Sequence, residues 1–232
     1  MKHVALIVAA IVALLYGIWQ YSKSPTQQLF GEIVPRVETS RKVVALTFDD
    51  GPVTKTAPEI LAALGGVKAT FFVCGAHMQE SPDVVPKLIA AGHEIGNHTF
   101  HHDRLVLKSP SHIRSEIEST DALIRAAGWP GPIHFRAPHC KKLVALPWYL
   151  MRHRRTHITW DVEAESNPQI DHHTDRIVAD VLSRSRPGSI ILLHPWYSGR
   201  ERTRAAIAPI IAGLRARGFD FITVDELLRL RR

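Results

Sequence analysis

The chain has 232 residues, of which 45% are hydrophobic and 22% are charged, so it has the composition of a globular protein with one substantial core. Its two cysteines exclude a disulfide framework. The formal net charge of +7 suits anionic surroundings such as phospholipid head groups or acidic wall polymers. No nucleic-acid-binding motif is present in the sequence, and no nucleic-acid partner is expected.

The N-terminal stretch is apolar. No charged residue occurs from Val4 to Trp19, and Gln20 and Tyr21 extend this run to nearly the 20 or so residues that span a membrane. Trp19 and Tyr21 suit the membrane interface, and no small-residue cleavage site follows. The sequence therefore predicts an uncleaved membrane anchor over residues 1–21, with a cleaved export signal as the alternative. In both cases the remaining chain is expected to be exported, to the periplasm or outside the cell.

Residues 22–41 are rich in polar and turn-forming residues and predict a linker, so that the folded domain covers 42–232. From there, apolar strand-like runs alternate with amphipathic helical segments, which predicts an α/β fold with a parallel sheet. Either a barrel or an open sheet fits this pattern. The predicted strands are 43–46, 69–74, 93–97, 133–135, 157–160, 189–193 and 219–222. The predicted helices are 82–91, 111–127, 143–153, 175–184, 203–217 and 224–230.

Two adjacent carboxylates, Asp49 and Asp50, follow the first buried strand at the point where Gly51-Pro52 ends it. At a strand end both side chains can reach one pocket. Two carboxylates in one pocket repel each other, because like charges raise one pKa, and a metal ion removes this conflict. The pair therefore predicts a metal site that takes further ligands from elsewhere in the chain.

Histidines that can complete such a site occur in His98-Thr99-Phe100-His101-His102. His98 and His102 share a face if the segment is helical, and His101 is a rival ligand at the i+3 position. One carboxylate and two imidazoles suit Zn²⁺ with an open position for water. The second carboxylate is then free to act as a general base, and His194 can protonate a leaving group. These groups together predict metal-assisted hydrolysis of an amide or ester.

The chemically suggestive residues fall at the carboxyl ends of predicted strands, where parallel α/β folds place their active sites. Five separate segments delivering polar groups to one rim are hard to explain by chance. They are Asp49 with Asp50, His98, Arg136, Trp160 and His194.

From about Lys42 to Leu228 the chain resembles the polysaccharide deacetylase family, carbohydrate esterase family 4, also described as the NodB-homology domain. The first family motif, Thr-Phe-Asp-Asp-Gly-Pro, is met in full at 47–52, and the second, His-Thr/Ser-x-x-His, at 98–102. These two in order are highly specific. The third, Arg-x-Pro, is met at 136–138, and the fifth, an aliphatic run ending in His, at 190–194.

The resemblance implies a distorted (β/α)7-type barrel behind the N-terminal hydrophobic helix. It implies Asp50, His98 and His102 as ligands of Zn²⁺ or of another divalent metal such as Co²⁺, Ni²⁺ or Mn²⁺. It implies Asp49 as the base, Arg136 as the group that orients Asp49, and His194 as the acid. The oxyanion would be held by the metal and by a backbone N–H such as that of His139. The residues expected to contact a carbohydrate substrate are Pro138, His139, Trp160 and Leu192.

The chain departs from the family pattern in two places. His139 and Cys140 replace the usual aromatic residue and glycine after the third motif. In the fourth motif, usually Asp-x-x-Asp/Ser-Trp, the aligned positions are Glu163, Ser166 and Asn167. Glu163 is expected to supply the carboxylate that tunes His194.

Three functions remain open at this level. The first is a membrane-anchored or exported metal-dependent deacetylase acting on N-acetylated or O-acetylated sugars of the cell envelope. The second keeps this chemistry but acts on a lipid-linked amino sugar, removing a formyl or acetyl group. The third is a glycan-binding module that retains the metal site without catalysis.

Overall fold

A computed structural model describes residues 1–231. Its helices are α1 (Lys2–Ser22), α2 (Ala57–Leu64), α3 (Gly75–Glu80), α4 (Val84–Ala90), α5 (Pro110–Ala126), α6 (Ala145–Arg152), α7 (Thr174–Arg184), α8 (Glu201–Ala216) and α9 (Val224–Leu228). Its strands are β1 (Ile33–Val34), β2 (Val43–Gly51), β3 (Thr70–Val73), β4 (Glu94–Asn97), β5 (His157–Ile158), β6 (Val162–Glu163), β7 (Ile190–Leu193) and β8 (Asp220–Phe221).

The strands form a parallel sheet in the order β4-β3-β2-β7-β6, with β8 paired to the start of β2. Parallel bridges from Asn97 to Phe135 and from Phe135 to His157 continue the sheet from β4 to β5, and β5 pairs with β1. In residues 1–231 no pairing joins β5 to β6, so the sheet is a distorted barrel that is not closed. The α/β architecture and the N-terminal hydrophobic helix predicted from the sequence are thereby confirmed.

The central strand β2 is buried along its whole length. Val44, Leu46 and Phe48 pack in the main core, whereas Val43 and Ala45 pack in a second cluster on the opposite face. A strand covered on both faces must be apolar at consecutive positions, which explains the continuous run before Asp49. The rigid strand fixes where the two carboxylates emerge.

Several short elements differ from the sequence-based prediction. Helices α2 and α3 and strands β1 and β6 were not predicted; α2 has only eight residues and buries a short stripe that includes Ile60 and Leu64. The predicted strand 133–135 is reduced to the two bridges of Phe135. These differences concern short segments whose form is decided by the neighbours that they pack against.

Residues 22–41, predicted as a linker, contact the domain at several points. Strand β1 pairs with β5, and Val37 N–H donates to the Gly188 carbonyl over 3.0 Å. The Ser22 carbonyl accepts from Lys142 N–H over 2.8 Å, and Thr159 Oγ1 donates to the Pro25 carbonyl over 2.6 Å. The end of α1 is therefore attached directly to the segment that leads into α6.

Helix α1 is exposed along its length, and only its last residue, Ser22, is buried. An 18-residue stretch of this 21-residue helix has a mean hydropathy of 2.1, so by length and composition it is able to cross a membrane. Signal sequences near an N-terminus meet the same criteria of length and apolar composition.

Gly51 ends β2 against the indole ring of Trp196, and a Cβ at this position would overlap that ring. We expect Gly51→Ala to lower the free energy of unfolding by about 1–3 kcal/mol, because a packed core cannot absorb the extra atom without displacement. Urea unfolding of the two proteins measures the difference. Gly199→Ala is the matched control, since an added Cβ there meets nothing within 4 Å. Equal losses in both variants would contradict the packing explanation.

Candidate active site and metal centre

Three predicted ligands converge beyond the carboxyl ends of β2 and β4. Asp50 Oδ1 lies 3.3 Å from His98 Nε2 and 3.0 Å from His102 Nε2. One ligand atom from each of these residues lies within 4.8 Å of the others, which is compatible with a single ion. Asp50 Oδ1 is buried and accepts no hydrogen bond of ordinary geometry from residues 1–231. A buried carboxylate oxygen without a donor is costly unless a cation satisfies it, so these residues fit a divalent metal.

The ligand atoms are preoriented by the backbone. His98 Nδ1 lies 2.9 Å from the Arg136 carbonyl oxygen, which fixes the proton on Nδ1 and leaves Nε2 free to bind a metal. His77 Nδ1 lies 2.6 Å from the Asp50 carbonyl oxygen and holds the backbone of the metal-binding carboxylate. Burial opposes ionisation of Asp50, but the close imidazoles of His102 and His98 hold its pKa well below the ordinary value. The carboxylate is therefore charged.

The helix considered for residues 98–102 is not formed. Thr99 and His102 adopt the left-handed backbone region, with φ of 68° and 60°, and the segment is a loop. The side chain of Glu116 on α5 accepts hydrogen bonds from the N–H groups of Phe100 and His101, over 3.1 and 2.8 Å. Glu116 also contacts His101 Nδ1 over 2.6 Å. His101 is thus turned away from Asp50, and its side chain is 63% exposed.

Glu116 holds this loop through contacts that a glutamine cannot fully reproduce, because an amide has one acceptor oxygen where a carboxylate has two. We expect Glu116→Gln to weaken zinc binding by about 10- to 100-fold, as is typical when a residue that orients metal ligands is changed. Competition titration with a chromogenic chelator measures the affinity. Glu118→Gln, on the exposed side of the same helix, is the control and should leave zinc affinity unchanged. An unchanged affinity in Glu116→Gln would contradict this role.

Asp49 lies beside the ligand cluster but is engaged differently. Its Oδ1 accepts from Arg136 Nη1 over 2.6 Å, whereas its Oδ2 lies 3.7 Å from His98 Nε2. Arg136 is completely buried and also donates to Thr47 Oγ1 and to the carbonyl oxygens of Ile158 and Thr159. Burial lowers the pKa of Arg136, and the charge of Asp49 opposes that shift. One oxygen of Asp49 is fixed and the other faces the ligands.

The carboxylate that contacts His194 is Glu165. His194 Nδ1 lies 3.0 Å from Glu165 Oε2, and the same oxygen accepts from the His194 N–H over 2.7 Å. Burial alone would lower the pKa of His194, but the hydrogen bond and charge of Glu165 raise it to about 9. Thr203 Oγ1 donates to the other oxygen of Glu165.

The predicted contact between Glu163 and His194 is therefore wrong. Glu163 instead accepts a hydrogen bond from Trp160 Nε1 over 2.8 Å. The register explains the difference. Val162 pairs with Ile191 and Glu163 with Leu192, so the chain must run two residues further before a side chain is level with His194.

These groups line a cavity of about 510 Å³. Of the residues predicted to contact substrate, His139 and Trp160 line it, whereas Pro138 and Leu192 are buried and do not. Leu192 lies within β7, two residues before His194 and deeper in the fold than the cavity. The other lining residues are Lys23, Pro25, Asp49, Asp50, His98, His102, Ala137, Cys140, Glu163, Glu165, Ser166, His194, Tyr197 and Arg200.

The altered third motif forms a tight turn at the cavity wall. Pro138–Cys140 is a 3-10 turn in which His139 and Cys140 adopt φ of 51° and 57°. The ring of His139 packs against that of His102 at a centroid distance of 4.7 Å. His139 is the second residue of the turn, a position whose N–H has no acceptor within the turn itself. Cys74 and Cys140 are both free and buried.

Known proteins share this fold and sequence pattern. A family model described as polysaccharide deacetylase matches residues 36–153. The chain is 32% identical over 204 residues to a peptidoglycan-N-acetylglucosamine deacetylase of Bacillus cereus, covering 87% of this chain and 95% of the relative. It is 32% identical over 200 residues to a chitooligosaccharide deacetylase of Bradyrhizobium sp., covering 79% and 90%.

The solved structures that resemble this chain come from the same family. The Bc1960 peptidoglycan N-acetylglucosamine deacetylase superposes with a TM-score of 0.79 at 28% identity, covering 85% of this chain and 94% of that one. BA3943 of Bacillus anthracis, a pseudoenzyme of carbohydrate esterase family 4, superposes with a TM-score of 0.76 at 26% identity, covering 86% and 69%. The fold thus occurs both in deacetylases and in a relative described as a pseudoenzyme.

Proposed function

The chain belongs to the polysaccharide deacetylase family, and we propose that it is a metal-dependent hydrolase that removes N-acetyl groups from amino-sugar glycans of the cell envelope. One observation carries the proposal. The Asp50, His98 and His102 cluster, the Asp49–Arg136 pair and His194 all face one cavity. Its relatives named above act, by their names, on peptidoglycan N-acetylglucosamine and on chitooligosaccharides.

Asp50, His98 and His102 would hold the metal, with Zn²⁺ as the first choice and Co²⁺, Ni²⁺ or Mn²⁺ as alternatives. A divalent cation bound there would supply Lewis acidity to the attacking water and to the acetyl carbonyl oxygen. The orphaned Oδ1 of Asp50 and the free Nε2 of His98 support this assignment. The exposed His101, held by Glu116, is not included.

Asp49 is proposed as the general base. Arg136 occupies Oδ1, so that Oδ2 remains available to take a proton from the water that attacks the acetyl carbon. Arg136 reaches no solvent and bonds to two further carbonyl oxygens, and it therefore acts by fixing the rotamer of Asp49. The backbone N–H of His139 is proposed to donate to the developing oxyanion.

His194 is proposed as the general acid. With a pKa raised to about 9 by Glu165, its imidazole is protonated at neutral pH. It can then give a proton to the sugar nitrogen as the C–N bond breaks, so that the products are acetate and a free amine. Glu165 positions His194 and maintains its charge.

Trp160 and His139 are proposed to form the walls that contact the sugar. Trp160 is fixed by Glu163 on one side and faces the Arg136 guanidinium, whose carbon lies 5.6 Å from the indole centroid. Tyr197, which also lines the cavity, is 39% exposed and can pack against a bound ring.

We propose residues 1–21 as an uncleaved membrane anchor, 22–41 as the connection and 42–232 as the catalytic domain, exported to the periplasm or outside the cell. The apolar character of α1 and its exposure support the anchor. Cleavage after α1 would instead give a secreted enzyme.

A lipid-linked amino sugar is the second candidate substrate, and one observation favours it. Lys23 and Pro25, which follow α1 directly, line the cavity. An anchored chain would therefore present the cavity close to the membrane surface, where such a substrate is held.

Acetate release measures the proposal directly. The purified chain is assayed on N-acetylglucosamine oligomers, on peptidoglycan and on a lipid-linked N-acetylated sugar, before and after chelation and after addition of each metal. We expect release from at least one glycan, loss on chelation and recovery with Zn²⁺ or a related ion. Release that is insensitive to chelator would overturn the metal-dependent mechanism. Absence of release from every substrate by the metal-loaded protein would favour a glycan-binding module.

A further inference from the structure

Exposed apolar side chains outside α1 are concentrated around the base of that helix. In residues 23–231, five large apolar residues are exposed, and one of them, Tyr197, borders the cavity. The other four are Leu29 (50% exposed), Leu107 (88%), Val144 (52%) and Trp148 (49%). None of these four lines the cavity, so the proposed hydrolysis does not explain their exposure.

Contacts among neighbouring residues bring these four together. Lys141 Nζ lies 3.3 Å from the ring centroid of Trp19 near the end of α1, and Lys142 N–H donates to the Ser22 carbonyl, so the segment that leads to Val144 begins beside the helix. Phe30 packs edge-on against Trp148 at a centroid distance of 5.3 Å, so Leu29 lies beside α6. Leu105 shares a core cluster with Leu146 and Tyr149 of α6, which holds the loop carrying Leu107 against the same helix.

Basic side chains accompany the apolar ones. Lys23, Arg104 and Arg152 are exposed, and Arg152 follows Trp148 by four residues, on the same side of α6. Burial and then the charges of Lys23 and Arg104 lower the pKa of Lys141, as expected if these cations lie near it. The nearby acids are paired with basic side chains: Asp103 with Lys108 and His112, Glu32 with Arg231, and Glu118 with Arg114. We call these four apolar and three basic residues the anchor-side face.

We infer that the anchor-side face rests on an anionic lipid surface and forms a second membrane contact beside α1. Leucine and tryptophan side chains next to arginines and lysines form the composition that enters the head-group layer. The face is continuous with α1 through the Lys141–Trp19 contact, and its three basic residues are exposed. The inference uses the anchor proposed for α1 but does not depend on the reaction proposed for the cavity.

Docking through this face would fix the orientation of the catalytic domain. Lys23 belongs both to the anchor-side face and to the lining of the cavity, so the cavity mouth would lie beside the lipid head groups. A domain held only by α1 could rotate away from the membrane.

Depth-dependent fluorescence quenching tests the inference on the full chain. Leu107→Cys and Trp148→Cys are labelled with an environment-sensitive dye, and the protein is placed in nanodiscs of phosphatidylcholine, with or without phosphatidylglycerol, containing head-group nitroxide lipids. Ala216→Cys is the control, because α8 ends at the amino end of β8, opposite the cavity. The unsubstituted chain measures background labelling of the buried Cys74 and Cys140.

We expect strong quenching at positions 107 and 148 in the anionic discs and little at 216. Arg104→Gln and Arg152→Gln should each lower the ratio of docked to undocked chains about fivefold, the effect of one basic side chain near an anionic membrane. Neither arginine lines the cavity, so acetate release from a soluble oligomer should persist in both variants and show that they fold.

Equal quenching at 107, 148 and 216 would overturn the inference. Quenching at 107 that is as strong in phosphatidylcholine alone would overturn the choice of an anionic surface. Protection of the labels from nitroxide lipids, with energy transfer between differently labelled chains, would assign the face to a second copy of the chain instead. Failure of acetate release in every variant and in the parent would bear on the proposed function alone.

Discussion

Asp49→Asn is expected to lower kcat for acetate release by about 10²- to 10⁴-fold, the usual contribution of a positioned general base. The amide can still accept the hydrogen bond from Arg136 but cannot take a proton from water. Because Asp49 is not among the proposed ligands, zinc content should remain at one ion per chain. Steady-state kinetics and metal analysis of the same sample measure both quantities.

The control for this substitution is Asp180→Asn, which changes an acid paired with Arg184 on the surface of α7. Its effect on kcat should be negligible, since exposed pairs contribute little. Retained turnover in Asp49→Asn would remove Asp49 from the role of base. Loss of zinc together with activity would make Asp49 a ligand instead. Thermal unfolding distinguishes either result from loss of the fold.

Glu165→Gln is expected to move the alkaline limb of the kcat/KM profile to lower pH by about 1–3 units, the shift that one adjacent opposite charge produces. The sign follows from the role of His194 as an acid. Its protonated form is active, and its pKa of about 9 places the loss of activity above neutral pH. Removing the negative charge of Glu165 lowers that pKa, so that activity falls as pH rises through a lower value.

Glu163→Gln provides a matched control, because Glu163 bonds to Trp160 and not to His194. Its alkaline limb should stay in place, although KM can rise if the indole wall moves. A pH profile of kcat/KM for the three proteins separates the two carboxylates. If Glu163→Gln moved the limb and Glu165→Gln did not, the original assignment from the sequence would be restored and the observed geometry contradicted.

The parts of the site that lie close together in sequence were predictable. Asp49 and Asp50 stand at the end of a strand that is apolar at every preceding position except Thr47, and Gly51-Pro52 fixes where the strand stops. Such local patterns determine both the strand and the exit of its side chains. The alternation of strands and helices similarly indicated the parallel α/β fold.

The residues that depend on register were not predictable. Glu163 and Glu165 differ by two positions and are chemically alike, and only the pairing of β6 with β7 decides which of them is level with His194. Sequence fixes the alternation of side chains along a strand but not how far one strand slides against its neighbour. A prediction of that pairing would have identified Glu165.

The local structure of the loop that carries the histidines was not predictable for a related reason. Spacing of four between His98 and His102 is compatible with a helix, but here two residues in the left-handed region bring the rings together. Glu116, from α5, satisfies the loop N–H groups that a helix would have satisfied internally. The position of Glu116 in the amphipathic helix α5 did not indicate this role. A glutamate on such a helix is normally expected at the surface, and that it is buried becomes clear only once its partner is known.

The most direct test of the proposed site is an anomalous difference map from crystals of the zinc-reconstituted chain, collected at the zinc absorption edge. We predict one strong peak about 2.0–2.2 Å from Asp50 Oδ1 and from Nε2 of His98 and His102, with Asp49 outside the ligand set. A peak coordinated by Asp49, His101 or His139 in place of these three, or no peak in the cavity at all, would contradict it.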